Sequence, residues 1–268
     1  MRDSVLDHII MTRIPGFGVV SQNRLLKICG SIEACFDMPD EEILRMDDSC
    51  SENRTGARLG LFLTHRNDQA LKEEAERIVR NCEQKNIMVI TEKDPEYPVR
   101  FRGLPDMPPV LYLRGNLRIN EFARSVGIVG ARRCSAEGKQ AAVQKAISEL
   151  QKGSAVISGM AKGIDSYAQT AAVKNNGYTI AVLGSSPDIC YPAEHERLYE
   201  EIIIHGCVLS ENPPGTKPKK YSFPKRNRLI AALSDELYVI DTGRNSGTET
   251  TVEACVKYGR TWQDIEPR

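Results

Sequence analysis

The segment 217–228 concentrates positive charge in a chain whose charges otherwise balance. It contains six basic residues and no acid, with Tyr221 and Phe223 among them. The whole chain has 36 basic and 36 acidic residues, so binding to a polyanion must depend on such a local cluster. Basic side chains pair with phosphates while aromatic rings stack on exposed bases. The segment therefore indicates a surface for single-stranded nucleic acid, although a basic run is more often only a solvated face.

Loops rich in glycine, hydroxyl and basic residues follow five apolar runs. In the loop 130–135, Arg132 offers a planar fork of donors for a phosphate, and Ser135 is placed to cap the next helix. In the loop 158–165, two glycines flank Lys162 just before a helix start, which is the form of an anion nest. Each loop is a weak signal alone, but all five favour anions.

Alternation of apolar runs and helical patterns predicts the elements that position these loops. The five runs expected to be buried strands are 126–129, 155–158, 179–183, 207–210 and 237–240. A helical segment follows each run, near 136–152, 164–175, 194–204, 224–233 and 248–258. This order predicts a Rossmann-like α/β fold, a mainly parallel sheet with helices on both faces. The loops would then line one edge of the sheet, where such folds bind ligands.

The N-terminal third has a different, helical pattern. Residues 1–68 are expected to form a small helical lobe of the helix-hairpin-helix or SAM-like kind, with 49–68 as a poorly specified connection. The turn 14–19 contains Pro15, Gly16 and Gly18, and such a turn can grip a phosphate, but a purely structural turn is favoured. Residues 69–125 are expected to supply a connecting helix and short strands at 87–91 and 110–113, and 126–268 the Rossmann-like domain.

Several classes of protein are excluded or disfavoured. The eight cysteines form no CxxC pair and have no histidine at ligand spacing, so neither a zinc site nor a disulfide framework is expected. No Walker A loop and no GxGxxG motif follows the first strand, so ATP and NAD are disfavoured and no cofactor is expected. Apolar stretches are too short for a membrane span, and the N-terminus has acids where a signal peptide would be apolar. We expect a cytoplasmic protein without a membrane partner.

The motifs taken together resemble the DNA-processing protein A (DprA, also called Smf) family. They are Val129-Gly130-Ala131-Arg132, Ser158-Gly159-Met160-Ala161-Lys162-Gly163-Ile164-Asp165, Thr179-Ile180-Ala181-Val182-Leu183-Gly184, Tyr191-Pro192-Ala193-Glu194-His195 and Phe223-Pro224-Lys225-Arg226-Asn227-Arg228-Leu229-Ile230-Ala231. The resemblance implies a protein of natural transformation that binds single-stranded DNA. Such a protein protects incoming DNA, loads the RecA recombinase, acts as a homodimer and is not an enzyme.

The resemblance also implies which residues bind DNA. Those expected to contact the backbone are Arg132, Lys162, Lys225, Arg226, Asn227 and Arg228. Those expected to shape a pocket for a phosphate or flipped base are Gly130, Ser158, Gly159, Gly163, Gly184, Phe223, Ser246 and Gly247. Among the arginines we favour Arg132 and Arg228, because a guanidinium holds a phosphate bidentately. No catalytic residue and no metal ligand is expected.

The sequence departs from the family near its end. After Tyr258-Gly259-Arg260 the family continues with a strand and a Pro-Gly loop, whereas this chain continues with eight residues, 261–268. We therefore expect a short form that lacks the last part of the sheet and the C-terminal winged-helix domain. This departure bears on dimerisation and on the contact with RecA.

Two other functions stay open at this stage. The stretch Gly247-Thr248-Glu249 with Glu253 faintly resembles the loop of LOG-type nucleotide phosphoribohydrolases, in which a carboxylate could stabilise an oxocarbenium-like centre. The preceding Pro-Gly-Gly is absent, and acids in a first helical turn are commonly solvated residues that the helix dipole favours. The third alternative is a nucleotide-sensing module with an unidentified partner.

Overall fold

The structure, a computed structural model, describes residues 4–48, 56–241 and 247–266. The chain divides into two compact units. The first consists of residues 1–94 and 102–111, and the second consists of residues 95–101 and 112–268. None of the described helices is long and apolar enough to cross a membrane.

The first unit is mainly helical and is built around an aromatic cluster. Phe62 is fully buried, and its ring centroid lies 5.6 Å from that of Phe17 and 5.3 Å from that of Phe36. The described elements of the unit are α1 (Ser4–Arg13), α2 (Val19–Cys29), α3 (Ile32–Asp37), α4 (Asp40–Asp48), α5 (Gly56–His65), α6 (Gln69–Gln84) and β1 (Met88–Thr91).

The first unit contains one helix more than the sequence pattern predicts. The prediction of a poorly specified connection over 49–68 is wrong for 56–65, which form α5. A helix of ten residues is too short to be stable alone, so it depends on the burial of Phe62, which periodicity does not reveal.

The turn between α1 and α2 is present as predicted, and the Phe17 amide donates to the Ile14 carbonyl at 3.2 Å. That this turn touches DNA stays a prediction.

The second unit contains a mainly parallel sheet with helices on both faces, as predicted. Its described strands are β2 (Val110–Gly115), β3 (Ser125–Gly130), β4 (Ala155–Ser158), β5 (Thr179–Val182), β6 (Cys207–Ser210), β7 (Glu236–Ile240) and β8 (Thr261–Ile265). They are ordered β2-β6-β5-β4-β3-β7-β8, and β2 is antiparallel to β6 while the other pairs are parallel. The first two residues of β2 are counted in the first unit.

Five helices of the second unit connect these strands. They are α7 (Ala136–Gln151), α8 (Ile164–Lys174), α9 (Glu196–His205), α10 (Ser222–Leu233) and α11 (Glu249–Lys257). Helices α7 and α8 pack against Val126 and Ile128 of β3. Side chains alternate along a strand, so residue 127 faces the opposite side. There, a Cβ atom on Gly127 would lie 2.6 Å from the hydroxyl of Ser234, the C-cap of α10, so a glycine lets α10 pack closely on this face.

The expectation that the last strand of the sheet is missing is wrong. Residues Thr261–Ile265 form β8, which runs parallel to β7 with Leu237 opposite Trp262 and Ile240 opposite Ile265. The strand is at the edge of the sheet, and its first four residues are exposed. It therefore lacks the run of buried apolar residues by which the five central strands were recognised.

Candidate functional site

The carboxyl ends of the parallel strands bring the predicted loops to one edge of the second unit. The loop after β3 is held by side chains at both of its ends. Ser135 caps α7 by accepting the Gly138 amide at 2.9 Å, and its own amide and hydroxyl donate to Asp241 at 2.5 and 3.0 Å. Asp241 follows β7, the strand next to β3. The Arg132 loop is therefore anchored to two neighbouring strand ends.

The loop between β4 and α8 packs directly on the Arg132 loop. Gly163 has φ +80°, and a Cβ atom there would lie 2.1 Å from the carbonyl oxygen of Ala131. The next amide, that of Ile164, donates to the same carbonyl at 3.1 Å. A larger residue at 163 would separate the two loops, because both the backbone conformation and the space require glycine.

Arg226 lies beneath these loops in the interior of the unit. Its side chain comes from α10, and the residue is 5% exposed. The guanidinium donates to the Gly159 carbonyl at 2.7 Å and to the Val182 carbonyl. A Cβ atom on residue 159 would lie 2.3 Å from the Arg226 Nη1 atom, so glycine at this position leaves room for the guanidinium. Arg226 thereby joins the ends of β4 and β5.

Asp165 provides the negative charge that faces Arg226. Its carboxylate accepts the Gly159 amide at 3.1 Å. Burial raises the pKa of Asp165, while the charge of Arg226 and backbone hydrogen bonds oppose the rise. Burial also lowers the pKa of Arg226 to about 10, which Asp165 opposes and Arg132 reinforces. Two guanidinium groups are thus close enough to repel each other, and Asp165 balances the charge of only one.

A cleft of about 780 Å³ opens above this pair, and we call it the loop-edge cleft. The Arg132 guanidinium is 5.6 Å from the ring centroid of Phe223, whose ring is in turn 5.4 Å from that of Tyr191. The residues that line the loop-edge cleft are Val129, Gly130, Ala131, Arg132, Ala161, Asp165, Tyr191, Lys220, Phe223, Pro224, Arg226, Asn227, Gly247, Thr248 and Thr251.

The electrostatics of the loop-edge cleft favour an anion. The N-terminal residues of α10 line it, and Thr248 and Thr251 bring the start of α11 to it, so two helix dipoles place positive ends there. The one carboxylate among the described lining residues belongs to Asp165, and it is buried. Glu249 and Glu253 are exposed and do not line the cleft.

The structure brings together about half of the residues predicted to bind DNA or shape its pocket. Those lining the loop-edge cleft are Gly130, Arg132, Phe223, Arg226, Asn227 and Gly247. Asn227 donates to Thr250 at 2.9 Å and to the Gly247 carbonyl at 3.1 Å, so it connects α10 to the start of α11. Gly184 lies beneath Phe223, where a Cβ atom would be 3.1 Å from the ring. Ser246 lies outside the described residues.

Other predicted residues have different surroundings. Ser158 is buried, and its hydroxyl donates to the Ile128 carbonyl at 2.6 Å. Lys162 is exposed and pairs with Glu194 at 2.7 Å. Arg228 and Lys225 both pair with Glu211, at 2.7 and 3.1 Å, and the side chains of Arg228 and Glu211 are 12% and 9% exposed. The pocket role of Ser158 and DNA contacts by Lys162, Lys225 and Arg228 stay predictions.

Some residues of the site were not singled out from the sequence. Lys220 lines the loop-edge cleft, and its only signal was membership of the basic run 217–228. Asp165 belonged to a recognised motif, but its electrostatic interaction with Arg226 joins residues 61 positions apart in the sequence (165 and 226). Thr251 had no signal. Among the described residues, no group of three histidine, cysteine or acidic residues is placed to hold a metal ion.

The sequence profile of the DNA recombination-mediator protein A family matches residues 88–264, which is more than half of the chain. The chain belongs to this family. Protein Smf of Synechocystis is 38% identical over 181 residues, which are 66% of this chain and 46% of that protein. DNA processing protein DprA of Streptococcus pneumoniae is 40% identical over 164 residues, which are 61% of this chain and 57% of that protein. The chain thus spans about half the length of these two curated relatives.

Two solved structures of family members are similar to this chain. DNA processing protein A from Streptococcus pneumoniae superposes with a TM-score of 0.78 at 29% identity, over 99% of this chain and 87% of that one. DNA processing protein A from Helicobacter pylori, whose structure concerns a unique single-stranded DNA binding mode, superposes with a TM-score of 0.62 at 30% identity. That match covers 69% of this chain and 83% of the other.

Proposed function

We propose that this chain binds single-stranded DNA in the loop-edge cleft. The observation that carries the proposal is the convergence of Arg132 and Arg226 on one cleft beside the aromatic pair Tyr191 and Phe223. The similar protein from Helicobacter pylori binds single-stranded DNA, and its likeness supports the same ligand class here.

The phosphate backbone is the part of the ligand that the arginines recognise. Arg132 is exposed, and no carboxylate among the described residues pairs with it, so its fork of donors is available to a phosphate. Arg226 contributes mainly its field, because the residue is only 5% exposed and its Nη1 atom already donates to two backbone carbonyls. A phosphate between them would relieve the repulsion of the two guanidinium groups. Binding should therefore be stronger than one exposed arginine alone would provide.

The aromatic pair explains why the strand should be single. Tyr191 is 47% exposed, and its ring is inclined by 35° to that of Phe223. Stacking on either ring requires a base that is not paired and not stacked inside a duplex. Phosphates held by Arg132 would leave the bases beside these rings. The cleft thus fits a strand whose bases are exposed.

The wider role that we propose is recombination mediation during natural transformation. The chain would protect incoming DNA and load RecA onto it, acting as a homodimer and without catalysis. The family description as a recombination mediator supports this role. The Asp165 carboxylate is committed to Arg226 and the Gly159 amide, which supports binding rather than hydrolysis at the cleft.

A titration with fluorescent oligothymidylate at about 50 and about 200 mM salt tests the proposal. We expect binding that increases with oligonucleotide length and weakens with salt. Arg132→Ala should lower the dependence of log affinity on log salt by about 0.7, the value for one phosphate contact on a single strand. The matched control is Lys72→Ala, which removes one exposed charge from α6.

Three results would count against DNA binding. They are equal affinity for thymidine monophosphate and a long oligonucleotide, preference for duplex over single strand, and an Arg132→Ala variant that behaves as the Lys72→Ala control does. Release of free base from a nucleoside monophosphate would support the phosphoribohydrolase alternative instead. Addition of RecA to the complex, followed by strand exchange, tests the wider role.

A further inference from the structure

A second groove begins where the loop-edge cleft ends. It has a volume of about 1080 Å³ and runs between α7, α8 and α9. Arg132 lines both spaces, while Lys162 lines the groove and its neighbour Ala161 lines the cleft. We call this space the α7–α9 groove. A strand lying beside Arg132 could therefore enter it without leaving the protein surface.

The charge of the α7–α9 groove is strongly positive for a chain without net charge. Two carboxylates line it, Glu194 and Glu201, and the former is paired with Lys162. In the part of the chain that the structure describes, Lys174 and Arg197 have no carboxylate partner. The basic lining residues are Arg132, Arg133, Lys139, Lys162, Lys174 and Arg197. The lining thus has four more basic than acidic side chains, which is the local field that a polyanion requires.

The floor of the groove is apolar. Val143 and Ile147 of α7 and Leu198 of α9 line it, and all three are half-buried against the core of the unit. Tyr167 of α8 lies among them, and the Lys139 Nζ atom is 4.8 Å from its ring centroid. An apolar floor below a cationic rim matches a strand that presents bases on one side and phosphates on the other.

We propose that the α7–α9 groove holds the continuation of a single strand that is bound in the loop-edge cleft. The inference rests on the proposed function, because the cleft is the first part of the path. Short oligonucleotides occupy the cleft alone, and longer ones add contacts along the rim formed by Lys139, Lys174 and Arg197. The groove therefore determines how affinity depends on length.

The test compares a groove variant, K139Q/K174Q/R197Q, with a control, K27Q/K72Q/R77Q. The control removes three exposed charges of the first unit that line neither space. Oligothymidylates of about 4 and about 20 nucleotides span the range of sites found for single-strand binding folds. We expect the short strand to bind the wild type, the groove variant and the control variant with equal affinity. The groove variant should bind the long strand at least about tenfold more weakly, with a salt slope lower by about 2 for three lost phosphate contacts.

Acetylation of lysines in the wild-type protein gives a measurement that does not depend on variants. The long strand should protect Lys139 and Lys174, and the short strand should leave both reactive. Equal long-strand affinity and slope in the groove and control variants would overturn the proposal, and so would an equal loss for short and long strands. Protection by polyglutamate of matching charge would assign the groove to an acidic peptide. If the wild type binds neither strand, the proposed function fails first and this inference fails with it.

Discussion

Replacing Arg226 with methionine removes a buried positive charge below the loop-edge cleft and keeps an unbranched side chain of similar reach. The Gly159 and Val182 carbonyls lose a charged donor, and Asp165 is left buried without the charge that faces it. Leaving a buried charge without the opposite charge that faces it costs at most about 3–5 kcal/mol, the value for a directly bonded buried ion pair. For domains of 150–250 residues, each kcal/mol lowers the melting temperature by about 2–4 °C, so we expect a decrease of at most roughly 6–20 °C at neutral pH.

The pH dependence has a definite sign. Burial raises the folded-state pKa of Asp165 above its ordinary value of 3.8, so its contribution to stability is present below pH 3.8. That contribution is lost as the pH rises through the folded-state pKa. Arg226→Met removes the charge that opposes this rise, so the pKa of Asp165 should increase further. The loss of stability of Arg226→Met relative to the wild type should therefore be smallest in acid and grow as the pH is raised above about 4.

Urea unfolding followed by the fluorescence of Trp262 measures this effect. Trp262 is the one tryptophan in the sequence and lies in β8, so it reports on the second unit. The loss in free energy of unfolding for the double variant D165N/R226M should be smaller than the sum of the losses for its two single variants, because each single change leaves an unpaired group. The matched control is Arg133→Met at an exposed position, with an expected change within about 0.5 kcal/mol. A loss below about 1 kcal/mol for Arg226→Met, or full additivity, would refute the reasoning.

Three further predictions concern other parts of the second unit. Phe223→Leu should weaken oligothymidylate binding by about 1–3 kcal/mol without changing its salt slope, and a changed slope in the titration would contradict stacking. Gly159→Ala should lower the free energy of unfolding in urea by about 1–3 kcal/mol, because the added methyl group displaces Arg226. In the Arg226→Met background, the same substitution should cause little further loss. Burial raises the pKa of Asp235, but hydrogen bonds from Arg100 and Ser125, together with the charge of Arg100, outweigh burial and hold the pKa below 3.8. The stabilisation by Asp235 is therefore present above pH 3.8 and lost in acid. Asp235→Asn should therefore destabilise at neutral pH and match the wild type at low pH, and an equal deficit at both pH values would contradict this.

The central strands were predictable because burial on both faces of a parallel sheet leaves continuous apolar runs. The runs 126–129 and 155–158 coincide with β3 and β4 to within one or two residues. The same signal fails at the margins of the fold. Strand β8 is exposed along most of its length, and α5 depends on burial of Phe62. In both cases the stabilising contacts come from residues distant in the sequence, which local pattern does not encode.

The candidate site was predictable as a set of loops but not as a set of roles. Arg132, Arg226 and Arg228 all follow from motifs, and their sequence contexts do not distinguish an exposed guanidinium from a buried one. Arg132 faces an aromatic ring, Arg226 donates to two carbonyls, and Arg228 pairs with Glu211. Each environment depends on side chains supplied by other strand ends. Sequence spacing therefore predicted the edge of the sheet at which these arginines lie, but not which of them is exposed, buried or paired with a carboxylate.

Charge pairing changes how the basic run 217–228 should be understood. Its six positive charges are offset by two carboxylates from outside the run, because Asp165 faces Arg226, and Glu211 is shared by Lys225 and Arg228. Six minus two leaves four, and three of the four belong to lysines 217, 219 and 220, all exposed. The field that a phosphate meets is therefore strongest at the start of the run. Lys220 brings this positive charge to the loop-edge cleft, which Arg132 also lines.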